Sequence, residues 1–173
     1  ADVSSSLDAT DFNLQRDGYE AAFRDAGIIS QIENGAIGSI AVSLVYWSTS
    51  QSVAVNWFQI SDAASSNAFA DAVAAYTRPF SGTPFTGGTN MANAVNYGTT
   101  RFNNNYEGTR QVMDVSGDGA DSGCGHTVFD CVSLQNARDN AVASGVDTIN
   151  ALWIDDRDFF GDDVADIIQA VPY

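Results

Sequence analysis

The sequence predicts an α/β fold: a doubly wound, mostly parallel central sheet with one antiparallel edge strand and helices on both faces. Two observations predict it. Short runs rich in apolar and β-branched residues alternate with longer runs whose apolar residues recur at helical spacing, as expected of parallel strands joined by crossover helices. One pair of strand-like runs, SIAVSLVYW (39–47) and VAVNWFQI (53–60), is separated only by STSQS. That connection is turn chemistry and too short for a crossover, so these two runs form a hairpin.

The other elements follow in chain order. In LDATDFNLQRDGYEAAFRDAG, the residues Phe12, Tyr19, Phe23 and Ala26 share one helical face, and Gly27 reads as the residue just past the helix end. After the hairpin, Asp62 caps a helix over AASSNAFADAVAAYT, with Ala68, Phe69, Ala72, Val73 and Tyr76 on its buried face. Arg78-Pro79 stops it. The loop FSGTPFTGGTN leads into a helix around 90–102 that carries Met91, Ala94, Val95 and Phe102. TRQVMDVSGDG is a strand breaking into a glycine-rich loop. A helix over 132–144 ends at Gly145, and VDTINALWI (146–154) is a strand. GDDVADIIQAV is a last amphipathic helix with acids in its first turn, where the helix dipole favours them. At 173 residues, without repeats or linkers, the chain reads as a single domain over 1–173.

Charge narrows the function classes. There are 22 Asp and Glu against 7 Arg, no Lys, and a net charge of −15. Such a surface repels nucleic acid and anionic membranes and attracts metal cations and basic partners. No apolar run approaches the roughly 18 residues of a membrane helix, so no membrane insertion is expected. Catalysis is not expected either: one histidine (His126), no Lys and no cysteine in a basic setting leave nucleophilic chemistry little to use.

Cys124 and Cys131, in GCGHTVFDC, lie close enough in sequence to bridge. A disulfide there implies an oxidising compartment, hence a secreted or cell-surface protein; the alternative is two free thiols. With a single histidine, a zinc site has too few ligands.

In open α/β sheets, sites form where loops leave the carboxyl ends of strands. Three such loops carry oxygen ligands: DVSSS with Asp2, Ser4 and Ser6; GGTN with Thr89; SGDG with Asp118. The set is two carboxylates and three hydroxyls, with no nitrogen or sulfur. Hard oxygen ligands suit Mg²⁺ or Ca²⁺, and also Mn²⁺. With so few carboxylates the ion stays electrophilic and takes a further anionic ligand from outside. Taken alone, D-x-S-x-S also serves as a helix cap.

The three parts, in this order, resemble the metal-ion-dependent adhesion site of von Willebrand factor A (VWA) domains. That family's pattern is D-x-S-x-S, then a threonine in a G-G-T-N-type loop, then an aspartate in a D-G turn. The hairpin at 39–60 also sits where the family has its antiparallel edge strand. LQRDGYEAAF, SIAVSLVYW, EGTRQVMDVSGDG and GVDTINAL further resemble bacterial secreted VWA proteins of unassigned function. The resemblance implies Ser4 and Ser6 as direct metal ligands, Thr89 as a ligand that binds directly or through water, and Asp2 and Asp118 as acids acting through water. It also implies a partner protein that presents an Asp or Glu carboxylate to the open metal position. The rival expectation is a structural subunit of an extracellular assembly, self-associated and merely stabilised by the metal.

The chain departs from the family at its ends. Only Ala1 stands ahead of the first aspartate, where the family has its central strand, and the family's closing strand and helix find no counterpart before Tyr173. A trimmed product is the first expectation, and a strand donated by a neighbouring chain the second.

Two other acidic stretches are read as structural. DVSGDGADSGCG resembles an EF-hand loop but has Gly125 where a bidentate Glu is needed. Asp114, inside its strand, needs a partner, expected to be Arg16 or Arg110. DDRDFFGDD (155–163) is read as a solvated loop and helix start.

Overall fold

Why the hydrophobic pattern becomes this architecture is clearest at adjacent residues of one strand. Tyr46 and Trp47 point to opposite faces, as strand neighbours must. Tyr46 packs with Phe12 and Val3, whereas Trp47 packs with Ala92, Ala94, Val95, Met113 and Val115. Both faces are therefore buried at this end of the strand, and each is covered by a different set of elements. In the computed structural model, which describes residues 1–78, 87–119, 121–122, 124 and 131–154, these elements are, in order, α1 (Ala9–Arg24), α2 (Ala26–Glu33), β1 (Ile40–Trp47), β2 (Gln51–Ile60), α3 (Ala63–Ala74), α4 (Met91–Arg101), β3 (Val112–Gly117), α5 (Val132–Ala143) and β4 (Thr148–Trp153).

The fold is mixed α/β. β1 and β2 pair antiparallel, from Ile40 opposite Ile60 to Trp47 opposite Gln51, with register irregularities around Leu44. β3 and β4 pair in parallel, from Val112 opposite Thr148 to Gly117 opposite Trp153. The first residues of the chain join the two pairs. Trp47 N donates to Ala1 O at 3.0 Å and Val3 N to Trp47 O at 2.8 Å, while Asp2 N donates to Ser116 O at 2.9 Å. Ala1–Val3 thus lies between β1 and β3, parallel to β1 at Trp47.

Helices α1, α2 and α3 pack on one side, where Ile32, Phe69 and Val73 meet Val55 and Ile60 of β2. Phe23 stands edge-on to Phe69, with ring centroids 4.6 Å apart. α4 and α5 pack on the other, around Ala94, Val95, Ala137 and Ala141. The small alanines let these two helices approach closely.

Three sequence expectations need correction. Gly27 does not end a helix. The break falls at Asp25, which closes α1 and whose side chain then accepts from Ile28 N at 3.0 Å to start α2. The N-capping energy of that aspartate outweighs the glycine's poor helix propensity. Ala68 is exposed; Ser66 and Ala70 take the buried positions of α3, with Ser66 Oγ donating to Phe23 O at 2.6 Å. Asp114 is paired with neither Arg16 nor Arg110. Its Oδ1 accepts from Asn150 Nδ2 at 2.8 Å, across the β3–β4 pair, where the two residues stand opposite each other. Arg16 binds Asp17 instead, and Arg110 donates to Thr148 Oγ1. The expected helix over GDDVADIIQAV, the DDRDFFGDD loop and His126 lie outside the described residues.

Candidate metal centre

The centre begins with a short-range bond. Asp2 Oδ1 accepts from Ser4 N at 2.7 Å, which curls the chain as it leaves the slot between β1 and β3. The curl brings Ser4 Oγ within 3.0 Å of Ser6 Oγ. Ser6 Oγ donates to Asp118 Oδ1 at 2.9 Å, just past the end of β3. Thr89, two residues ahead of α4, donates through Oγ1 to Ser4 Oγ at 3.4 Å. All five side chains named from the sequence, Asp2, Ser4, Ser6, Thr89 and Asp118, are brought together at one end of the molecule. Asp2 is 0 % exposed, Ser4 1 % and Thr89 7 %. Ser6 is exposed, and Asp118 stands at the rim, half-buried.

The electrostatics centre on Asp2. Burial pushes its carboxyl up to about 7, the nearby Asp118 carboxylate adds to the rise, and the Ser4 hydrogen bonds pull the other way. Its second oxygen, Oδ2, is buried without a hydrogen-bond partner. A buried orphan carboxylate oxygen is costly unless a proton or a cation faces it. The other side chains of the centre bring hydroxyls and a second carboxylate, which are ligands for a hard divalent cation. Among the described residues no group of three or more His, Cys, Asp and Glu side chains gathers. This centre has only two carboxylates, and its remaining donors are hydroxyl oxygens.

A supporting layer holds the three loops. Gln15 of α1 donates from Nε2 to Asp2 O at 2.9 Å, and its Oε1 accepts from Ser116 Oγ at 2.5 Å. Tyr19 OH donates to Ser116 Oγ at 2.9 Å, and burial raises the Tyr19 phenol. Arg78 Nη2 donates to Ser4 O at 2.9 Å. On the α4 side, Ser122 Oγ accepts from Thr89 N at 2.8 Å and Ser122 N donates to Thr89 O at 2.7 Å. The buried Asp121 accepts from Ala92 N at 2.8 Å, in the first turn of α4.

Two glycines are required by close approach. Gly87 has φ +137°, and a Cβ there would lie 2.5 Å from Thr49 Oγ1. A Cβ on Gly117 would lie 3.0 Å from Asp2 Oδ2 and 3.3 Å from the Trp47 ring.

Sequence reasoning missed Gln15, Arg78, Asp121 and Ser122. A signal existed for Gln15. It sits three residues after Phe12 and four before Tyr19, a polar residue within an apolar stripe. No comparable signal marks Arg78, which read only as a helix stop.

Cys124 and Cys131 are joined in a disulfide, with Cα atoms 4.8 Å apart. It ties the segment just past Ser122 to the N-terminus of α5. No helix among the described residues is long and apolar enough to cross a membrane.

Residues 1–169 match the model of a family described as a protein of unknown function (DUF1194). No curated protein and no solved structure matches the chain.

Proposed function

The chain belongs to the DUF1194 family, and for this member of it we propose a divalent-metal-dependent binding module of the VWA kind, not an enzyme. The Ser4 and Ser6 hydroxyls hold Mg²⁺, Ca²⁺ or Mn²⁺ directly. Thr89 holds it directly or through water, and Asp2 and Asp118 act from the outer shell. When bound, the ion offers an open position to an Asp or Glu carboxylate of a partner protein. The protein's own groups do the rest. Gln15 and Arg78 fix the Asp2–Ser4 backbone, Ser122 fixes Thr89, Asp121 fixes the first turn of α4, and the burial of Asp2 keeps water off its inner face.

One observation carries this reading. Five oxygen-bearing side chains from three separate stretches of chain come together, and one of them, the buried Asp2, has a carboxylate oxygen without a partner. The fold supports it too. With Ala1–Val3 between β1 and β3, the strands read in the order β2, β1, N-terminal segment, β3, β4, with helices on both faces, as a doubly wound sheet requires. The disulfide supports a secreted or cell-surface location.

The test uses Mn²⁺ as a paramagnetic probe. The metal-stripped protein is loaded with Mn²⁺, and ¹³C-carboxylate acetate is added as the simplest mimic of an acidic ligand. The expected pulsed-EPR result is a ¹³C hyperfine coupling that disappears in the Asp118→Ala variant. Bound Mn²⁺ that shows no ¹³C coupling at saturating acetate would contradict an open, ligand-accepting position.

A further inference from the structure

A second site lies at the other end of α4. A cleft of about 520 Å³ is walled by Asn56 and Trp57 of β2, by Arg101 in the last turn of α4, and by Asn103, Asn105 and Tyr106 of the loop that follows. α4 has 11 residues, so the cleft is separated from the Thr89 end by a helix about 16 Å long. None of its walls belongs to the candidate metal centre.

The cleft has a fixed frame and free polar groups. Trp57 Nε1 donates to Arg101 O at 3.0 Å, and Asn104 Nδ2 donates to the same oxygen at 3.2 Å. Asn104 Oδ1 accepts from Tyr106 N at 2.7 Å, which pins the loop. Arg101 Nη2 donates to Asn56 Oδ1 at 2.8 Å, and Arg101 Nε is buried without a partner. The Trp57 and Tyr106 rings stand 6.3 Å apart at 49°, and Tyr106 is 40 % exposed. Asn103 and Asn105 are exposed, and the hydrogen bonds of the described residues leave their side-chain amides unused.

We propose that this cleft binds a neutral saccharide. The electron-rich face of an aromatic ring packs against the C–H face of a pyranose. The Asn103 and Asn105 amides each offer a donor and an acceptor side by side, which matches hydroxyls that both donate and accept. The one cation of the cleft donates to Asn56 through Nη2, and its unpartnered Nε is buried, where a ligand in the cleft does not reach it. The net charge of −15 opposes anionic polymers as well. A peptide strand or helix needs a longer apolar groove than two ring faces provide.

The experiment titrates the full chain with four neutral hexasaccharides: maltohexaose, cellohexaose, mannohexaose and hexa-N-acetylchitohexaose. Binding is followed by calorimetry, with and without EDTA. The expected result is that at least one binds with a dissociation constant of about 1 mM or tighter. Its affinity is unchanged by EDTA. Trp57→Ala abolishes binding. Since that variant can also disturb packing, Asn103→Ala and Asn105→Ala serve as the second arm, because their side chains hold nothing in the fold. Each is expected to weaken binding about tenfold with the melting temperature unchanged. The proposal is overturned if none of the four binds at about 10 mM. Binding that survives the Asn103→Ala, Asn105→Ala double substitution, or that EDTA removes, also overturns it.

Discussion

At the scale of single residues, Asp2 makes its own contribution to the pH dependence of the metal-free protein. The folded chain holds its proton up to about pH 7, whereas the unfolded chain releases it near the ordinary value of 3.8. Between those limits the folded state binds more protons, so rising pH destabilises it. The contribution is fully present below 3.8 and is lost as the pH rises to about 7. The stability difference between the metal-free protein and Asp2→Asn is therefore expected to shift by about 2–4 kcal/mol against the wild type between roughly pH 4 and pH 7. Denaturant titrations of both proteins across that range check this, and parallel pH profiles would remove Asp2 as the cause. Saturating Mg²⁺ should offset the loss, since a cation facing Oδ2 replaces the proton. The residues of this centre were legible in the sequence because each is an oxygen donor in a loop, at a spacing that one strand-end cluster explains. Their supports were not. Gln15 and Ser116 meet across about a hundred residues of chain, and a contact of that kind leaves no local pattern.

At the scale of elements, the loop before α4 is the most demanding piece. Gly87 adopts a left-handed φ of +137° and passes so close to Thr49 that a methyl group has no room. Gly87→Ala is expected to cost about 2–4 kcal/mol, from backbone strain and the displaced Thr49 together. Because Thr89 lies two residues on, the same substitution should weaken Mg²⁺ binding at least about tenfold, a coupling of the kind expected of residues that share a loop. Thermal melting with and without Mg²⁺ measures both. Full metal-induced stabilisation in a folded Gly87→Ala protein would show that the loop does not position Thr89. The strands and most helices were legible from periodicity, with limits shifted by one to three residues at fraying ends. The missing α2 shows where local rules compete. A glycine two residues past an aspartate reads as a stop, yet the aspartate caps a new helix that buries Ile29 and Ile32, the latter in the core against β2.

At the scale of the whole molecule, the alternation of apolar runs was enough to predict an α/β fold with a hairpin. It could not show how Ala1–Val3 would sit. Three residues carry no periodicity, and their place between β1 and β3 is fixed only by hydrogen bonds to Trp47 and Ser116. That placement matters most, because it carries Asp2, Ser4 and Ser6 to the end of the sheet where Thr89 and Asp118 wait. The central claim is that these five residues form one divalent-metal site. The most direct measurement is calorimetric titration of the metal-stripped chain with Mg²⁺, Ca²⁺ and Mn²⁺, beside Asp118→Ala, with particle size followed by light scattering. The expected result is one ion per chain, loss of binding in a folded Asp118→Ala protein, and no change in particle size. Metal-driven growth of the particles would point to a structural subunit instead. A folded wild-type chain that binds none of the three ions would rule out a metal site here, leaving Asp2 and its serines as a turn with no metal to hold.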